Sequence, residues 1–494
     1  MNRAKRLYIL LGVLAAACIA AFAVLHLEQR QEEIAESGET VLEIDPDAVQ
    51  SLSWEYEGET LAFHRDGDGW LYDDDEAFPV DGEKIQELLG QFEAFGAAFV
   101  ITDVEDYAQY GLDDPTCTIQ LSTEEESYTI ELGNYSNMDE QRYVSTGDGN
   151  VYLAVSDPLD VYDTDLSGLI ANDQVPDWTQ VTGLTFSGEQ DYTVAWQEDS
   201  GLSYSEDDVY FTQQDGESLP LDTSLVEGYL RTLQSLELGD YVTYNATDEE
   251  LADCGLDEPQ LTGTVDYTGE DEDGAETSGT FVLHISRDPE ELAQAQADAE
   301  NTEEAEDTEE EITAYARVGD SQIVYRLSGS DYEALMAASY DELRHQEVLW
   351  ADFAGVTQLD IALEGEEYTI FAEGEGDDRT WTYQGEELEI DDLQSALEGL
   401  TAAEFTDEAP DQQEEISLTV HLDSERFPTV EIQLYRYDGT NCLAVVDGEP
   451  VSLVARSGAV AGLVFVFPQD CLEEEKQRLA QLARDEDPGI PWLA

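Results

Sequence analysis

Five histidines, His26, His64, His284, His345 and His421, are the first residues to weigh for acid–base, nucleophilic or metal chemistry. Imidazole is the side chain that changes charge near neutral pH and the commonest ligand of transition metals. Their spacing points to none of these roles. No HxxxH or HExxH pair occurs; His26 ends an apolar run, His284 and His421 alternate away from the apolar faces of their strands, His64 sits near a hairpin and His345 follows a helix. All five are therefore expected at a surface. There is no GxSxG elbow, no GxxxxGK[ST] loop and no GxGxxG between strand and helix, so nucleotide hydrolysis is excluded. Paired carboxylates carry no signal, because with 116 Asp and Glu any cleft holds two at the spacing a glycosidase needs. Asp66-Gly67-Asp68-Gly69 and Asp73-Asp74-Asp75 contain oxygen ligands but not the EF-hand order, and a hairpin turn at Asp68-Gly69 accounts for the first. Trp54, Trp70, Trp196 and Trp381 have the chemistry to line a sugar- or peptide-binding groove, although at strand positions such rings usually fill a core. No catalytic, cofactor-binding or metal-ligating residue is assigned, and the protein is expected not to be an enzyme.

The elements that carry these side chains recur three times. Each copy opens with a short alternating strand, at 49–54, 181–186 and 356–361, and continues to a second strand pair around 70–72, 202–204 and 381–383. A helix follows, started by Asp81, Asp222 and Asp391, whose carboxylates are expected to accept orphan backbone N–H groups. Ile85, Leu88, Leu89 and Phe92 fall at i, i+3, i+4 and i+7, as do Val226, Tyr229, Leu230 and Leu233, and the third helix offers Leu393, Ala396, Leu397 and Leu400. One apolar face of each helix must lie on a sheet. Then Tyr110-Gly111-Leu112-Asp113-Asp114-Pro115 is echoed by Cys254-Gly255-Leu256-Asp257-Glu258-Pro259 and, degenerately, by 407–410. Gly permits positive φ and Pro ends a helix, so the motif reads as a turn. Alternating strands resume and each copy closes with a hairpin, at 142–153, 315–325 and 442–453.

The expected fold class is α+β: a single N-terminal transmembrane helix followed by three β-rich repeats, each with one amphipathic helix. The first repeat covers 41–170 and the second 178–345, with an acidic insertion at 290–311 read as a mobile loop or solvated helix. A degenerate third covers 352–467, residues 332–344 read as an extra helix at the end of the second, and 468–494 form a C-terminal helix and tail.

The 494 residues include only 19 Lys and Arg, for a formal net charge of −97. Nucleic acid is excluded as a partner, since nothing beyond the first few residues offers a basic stripe to displace its counterions. Hydrophobic residues still make up 41% of the chain, enough to bury large cores. Arg3, Lys5 and Arg6 precede an uncharged run from Leu7 to Leu27, long enough to span a bilayer of about 30 Å. With Glu28, Glu32 and Glu33 behind it, this run reads as a transmembrane helix at 7–27 with residues 1–6 cytoplasmic and the remainder an ectodomain in the cell membrane. A cleaved signal peptide, with Ala21-Phe22-Ala23 as its site, stays open. The cysteines, Cys18, Cys117, Cys254, Cys442 and Cys471, show neither CxxC nor zinc-ligand spacing, and single buried thiols suit them better than a disulfide framework.

With the anchor, the Tyr-Gly-Leu-Asp-x-Pro turn, the strand ending in Gly133 and the Tyr143-Val144 hairpin closing on Val151-Tyr152, the chain resembles a bacterial family known as domain of unknown function 4340. The resemblance covers roughly 300 residues. It implies a membrane-anchored extracytoplasmic protein of the kind often encoded beside ABC-type export permeases similar to those of gliding-motility systems. The expected function is thus a binding or scaffold subunit with an ABC-type permease as partner, the alternative being a cell-envelope polysaccharide-binding or carbohydrate-active protein. The charge itself gives a first prediction. The screening length falls from about 30 Å at 0.01 M salt to about 3 Å at 1 M, so added NaCl relieves repulsion between carboxylates and should raise the melting temperature. A melting temperature flat across that range would show that repulsion is not a significant term.

Overall fold

The computed structural model describes residues 39–456 apart from 103, 199–200, 215, 271–273, 302–311, 364–365 and 375–378. The expected transmembrane segment at 7–27 and the C-terminal helix within 468–494 lie outside the described residues. Among the described residues no helix is long and apolar enough to cross a membrane.

Alternation at period two turns most of the rest into antiparallel strands. The first sheet holds β1 (Glu39–Leu42), β2 (Val49–Tyr56), β3 (Glu59–Asp66), β4 (Gly69–Tyr72), β5 (Phe95–Ile101), β6 (Cys117–Thr123), β7 (Ser127–Ser136), β8 (Gln141–Ser145) and β9 (Val151–Ala154). Their order is β1-β5-β9-β8-β7-β6-β2-β3-β4. The second holds β10 (Gln180–Gly188), β11 (Tyr192–Trp196), β12 (Tyr210–Gln214), β13 (Glu217–Pro220), β14 (Tyr241–Thr243), β15 (Leu261–Glu270), β16 (Glu276–Arg287), β17 (Ala314–Val318) and β18 (Val324–Leu327), ordered β13-β12-β11-β10-β15-β16-β17-β18-β14. The third holds β19 (Val356–Leu363), β20 (Glu366–Glu373), β21 (Thr380–Tyr383), β22 (Glu386–Leu388), β23 (Ala402–Phe405), β24 (Glu414–Leu422), β25 (Thr429–Arg436), β26 (Asn441–Val446) and β27 (Glu449–Ala455), ordered β22-β21-β20-β19-β24-β25-β26-β27-β23.

Position for position, the second and third orders are the same. The first differs in gaining β1 outside β5 and in ending at β4, with Val80 bridging Ile170 where the other two repeats add a fourth strand. Even an irregularity repeats: the opening strand slips register between Val49 and Ser51, between Val181 and Gly183, and between Val356 and Gln358. The architecture is thus three nine-stranded antiparallel sheets with few helices, mostly β rather than α+β. Nor does each repeat keep to one helix. The second also carries Asp248–Asp253, Pro289–Asn301, Gly329–Met336 and Tyr340–Leu343, so the acidic insertion begins as a helix and the expected helix at 332–344 is split in two.

The chain forms two compact units. One comprises residues up to Gln174 together with Tyr241–Thr247 and Gln322–Val324, and the other the remainder. In the first unit, α1 (Gly82–Gly90) buries Ile85, Leu88 and Leu89, and Asp81 caps it by accepting from the N–H groups of Glu83 and Lys84. Tyr162, fully buried, donates to the Leu88 carbonyl at 3.0 Å and meets Trp54 edge-on at 5.4 Å. In the second unit, α2 (Thr223–Gln234) buries Val226, Tyr229, Leu230 and Leu233 and is capped by Asp222, which accepts from Ser224 and Leu225. Its core continues through Leu184, Phe186, Leu261, Val265 and Leu283 of the sheet. The last helix, α3 (Asp391–Glu398), buries Leu393 and Leu397, but its N-cap is Ile390 and makes no side-chain bond. Asp391 lies inside the first turn, so the cap expected of it is absent; there its charge still favours the positive helix end.

The repeated Gly-Leu-Asp motif is a helix stop. Leu112 N–H donates to the Tyr107 carbonyl and Gly111 N–H to Ala108, while Leu256 N–H donates to Leu251 and Gly255 N–H to Ala252. Both glycines have φ +69°, so each turn is a Schellman cap, and the leucine that follows is buried. Gly133 on β7 lets this turn approach: a Cβ there would collide with the Tyr110 carbonyl oxygen. Gly133→Ala should therefore cost about 1–3 kcal/mol by overpacking. Urea unfolding of the variant measures it, and an unchanged midpoint would mean that the turn does not press on the strand.

Candidate functional site

Residues of the second unit bring together the densest set of chemically capable side chains described. After β11 the chain makes an irregular excursion before β12 begins at Tyr210, and this excursion carries Ser203, Tyr204 and Asp208. The strand expected at 202–204 is absent, because Ser203 and Asp208 bond each other across the loop and the strand starts only after them. The segment that follows the Tyr340–Leu343 helix carries His345, Glu347 and Trp350.

Asp208 is the hub, its side chain only 2% exposed. Its Oδ1 accepts from His345 Nε2 at 2.8 Å, and its Oδ2 accepts from Ser203 Oγ at 2.5 Å and Trp350 Nε1 at 3.2 Å. A buried carboxylate needs such donors, since desolvation without them costs several kcal/mol. The Trp350 ring stacks on His345 with centroids 4.6 Å apart and planes 7° from parallel, and Tyr204 packs against the same ring at 4.5 Å. His345 is therefore a packed interior residue, 11% exposed, and the surface expected of it is corrected.

Because a carboxylate accepts and does not donate, the bond to Asp208 puts a proton on Nε2 and turns Nδ1 toward Asp222 Oδ2, 3.8 Å away. Asp222, His345 and Glu347 each offer a ligand atom, all within 4.8 Å of one another. This is not a nucleophilic triad. Serine hydrolysis needs the imidazole between hydroxyl and carboxylate, whereas here Ser203 gives its hydrogen to Asp208.

The remaining candidates are accounted for separately. His64 bonds Asp73 at 2.6 Å and is about two-fifths exposed. His284 is within 3.0 Å of Thr262 Oγ1. His421 meets Asp360 at 2.7 Å, whose carboxyl is pushed up by burial but held on balance below its ordinary value by hydrogen bonds from Thr369, His421 and Gln358. Trp54, Trp70 and Trp381 are buried and Trp196 packs against the core of its sheet, as strand positions favour. Cys117, Cys254 and Cys442 are free and buried, and burial pushes their thiols up to about 12, 11 and 12. A cleft of ≈ 490 Å³ beside α3 is walled by Trp381, Glu389, Asp391 and Gln394, but its Arg379 is spent on the carbonyls of Phe353, Ala354 and Val356.

A family model described as Domain of unknown function (DUF4340) matches residues 70–259 and, overlapping, 212–419. The chain belongs to that family. The two DUF4340 matches begin at the same place in the fold, Trp70 in β4 and Thr212 in β12, each the third strand of a repeat. The second match is thus the first displaced by one repeat. No curated protein and no solved structure matches the chain. No local signal in this DUF4340 sequence marks the His345 cluster, because its partners lie 137 and 142 residues apart along the chain.

Two other histidines give opposite pH signatures. The hydrogen bond to Asp73 raises His64 above 6.5, so its contribution to stability is complete below the unfolded value and is lost as pH rises through the folded one. Burial, and then Arg317, lower His284, whose contribution is complete above about 6.5 and is lost as pH falls through the folded value. Imidazole titration by NMR should place the His64 midpoint above 6.5 and that of His284 below; coincident midpoints would contradict both environments.

Proposed function

We propose that this DUF4340 protein is a non-enzymatic, membrane-anchored extracytoplasmic binding or scaffold subunit, accessory to an ABC-type export complex of the gliding-motility-like kind. The observation that carries this reading is the threefold recurrence of one strand order, in which the family motif is used up as a helix stop. A repeated sheet whose signature residues serve folding supplies surface rather than a reaction centre. Polar residues along the solvent-facing rows of the strands, such as Ser53, Gln120 and Glu131 in the first sheet, are suited to recognition by hydrogen bonding. The short outer strands β13, ending in Pro220, and β22, with Glu386 and Glu387, are poor templates for strand addition, which favours binding through faces over edges. The anchor rests on the cation-flanked apolar run at 7–27.

Solubilisation of native membranes in mild detergent, followed by affinity capture of the full-length chain, should recover an ABC-type permease in stoichiometric amount. Protease added to intact protoplasts should degrade the chain beyond residue 40. Full protection would refute the ectodomain, and a chain that captures no permease but binds defined polysaccharides on a glycan array would replace the scaffold reading with the carbohydrate one.

A further inference from the structure

We propose that Asp222, His345 and Glu347 form a site for one divalent transition-metal ion of the zinc or manganese class, joining the second repeat to the third. The donor set is one imidazole nitrogen and two carboxylates, with Nδ1 of His345 3.8 Å from Asp222 Oδ2 and all three ligand atoms within 4.8 Å. Ligands about 2.0–2.2 Å from a tetrahedral ion lie roughly 3.3–3.6 Å from one another. A contraction of at most about an ångström closes the site.

Each ligand is held by something other than the ion. Asp222 caps α2 through Oδ1, which accepts from Ser224 and Leu225, and this fixes the carboxylate while leaving Oδ2 available. His345 is oriented by Asp208 and by the Trp350 ring, with the ligating nitrogen opposite the one that Asp208 holds. A buried carboxylate on the far nitrogen of a ligating histidine fixes its tautomer and raises its basicity. Asp208 is itself pinned by Ser203 and Trp350. Glu347 lies in a bridge to Thr401, flanked by hydrogen bonds from Val348 N–H to Leu400 and from Ala402 N–H to Gln346. The ligands thus come from two stretches, the helix cap of the second repeat and the connecting segment, and the bridge to Thr401 ties the latter to the third repeat.

The arginine adjacent in sequence to His345 is engaged elsewhere. Arg344 lies with its guanidinium 3.4 Å from the Phe405 ring centroid and its Nε 3.2 Å from Asp341. Imidazole in the donor set separates the proposed site from the diffuse Ca²⁺ and Mg²⁺ binding that 116 acidic residues guarantee, because those hard ions prefer all-oxygen ligands.

The test uses the purified full-length chain, freed of metal with a chelator and titrated with ZnCl2 in 0.15 M NaCl by equilibrium dialysis. Melting of the metal-free protein checks that each variant folds. One Zn²⁺ per chain should bind well above the diffuse background, raise the melting temperature and resist competition by millimolar CaCl2. Glu347→Gln and Asp222→Asn should abolish that ion. Asparagine keeps the helix cap, so the second loss reads ligation and not folding. Asp208→Asn, which touches no ion, should weaken binding about 10–100-fold. Zinc uptake unchanged in both ligand variants, displacement of all zinc by calcium, or no uptake above background would each overturn the proposal.

Discussion

A nine-stranded antiparallel sheet with one apolar face has to be covered from within its own chain, and in each repeat the covering segment is the helix between the fourth and fifth strand positions. Laying that helix over the sheet carries the chain from one edge to the other. The fifth strand therefore lands at the far side, where its neighbours have not yet been made. β5 waits for β9 and β23 for β27, and β14 likewise borders β18. The closing hairpin of each repeat thus completes a pairing begun before it in sequence. Such non-local closure is entropically slow, and the apolar stripe of each helix is the contact that holds the two edges of its sheet under one cover.

The same economy governs the charges. Many of the 116 acids that leave the chain at −97 are committed locally as acceptors: Asp45, Asp81, Asp165, Asp222 and Asp352 each receive a backbone N–H at a helix start. The scarce arginines are placed where one side chain can tie several segments. Arg142, nearly buried, pairs with Asp157 through Nε at 2.7 Å and donates to the Gly133 carbonyl at 2.8 Å, so it clamps the strand that the Gly111 turn presses upon. Arg456 grips Glu415 with two bonds near 3 Å, joining the end of β27 to β24. Guanidinium suits this work better than ammonium because its donors fork in a plane, and Lys84, the one lysine among the described residues, reaches only an exposed Glu87 at 3.9 Å.

What was legible in the sequence was whatever is local in physics. The helix faces of Leu89 and Leu230, the opening strands at Val49, Val181 and Val356, and the glycine turn all follow from spacing or from the freedom of φ within a few residues. The misreadings arose where a distant partner decides. Leu202-Ser203-Tyr204 alternates like a strand, yet Ser203 serves Asp208 and Tyr204 serves Trp350. His345 has an unremarkable polar neighbourhood in sequence, and only tertiary pairing buries it. Asp391 has the right residue type one position too late: the helix begins with it, and a side chain already inside the turn cannot turn back to cap it.

The repeat also explains why the cluster occurs where it does. In the first repeat the backbone N–H of the capping Asp81 donates to the Leu169 carbonyl, and in the second that of Asp222 donates to the Leu343 carbonyl. In both, the segment leaving the repeat docks at the start of the covering helix, so the residues after that leucine occupy corresponding places. The first repeat has Ala171 two positions on, and its N–H is bonded to Pro79, whereas the second has His345. Four positions on, both keep an acid, Asp173 and Glu347. The docking of the departing segment on the helix start is thus shared by two repeats, and the imidazole at the second position distinguishes them. The excursion carrying Asp208 supplies the buried acceptor that the histidine requires. The cluster therefore sits at a joint between copies, where a histidine and an irregular loop are accommodated without disturbing the strand order.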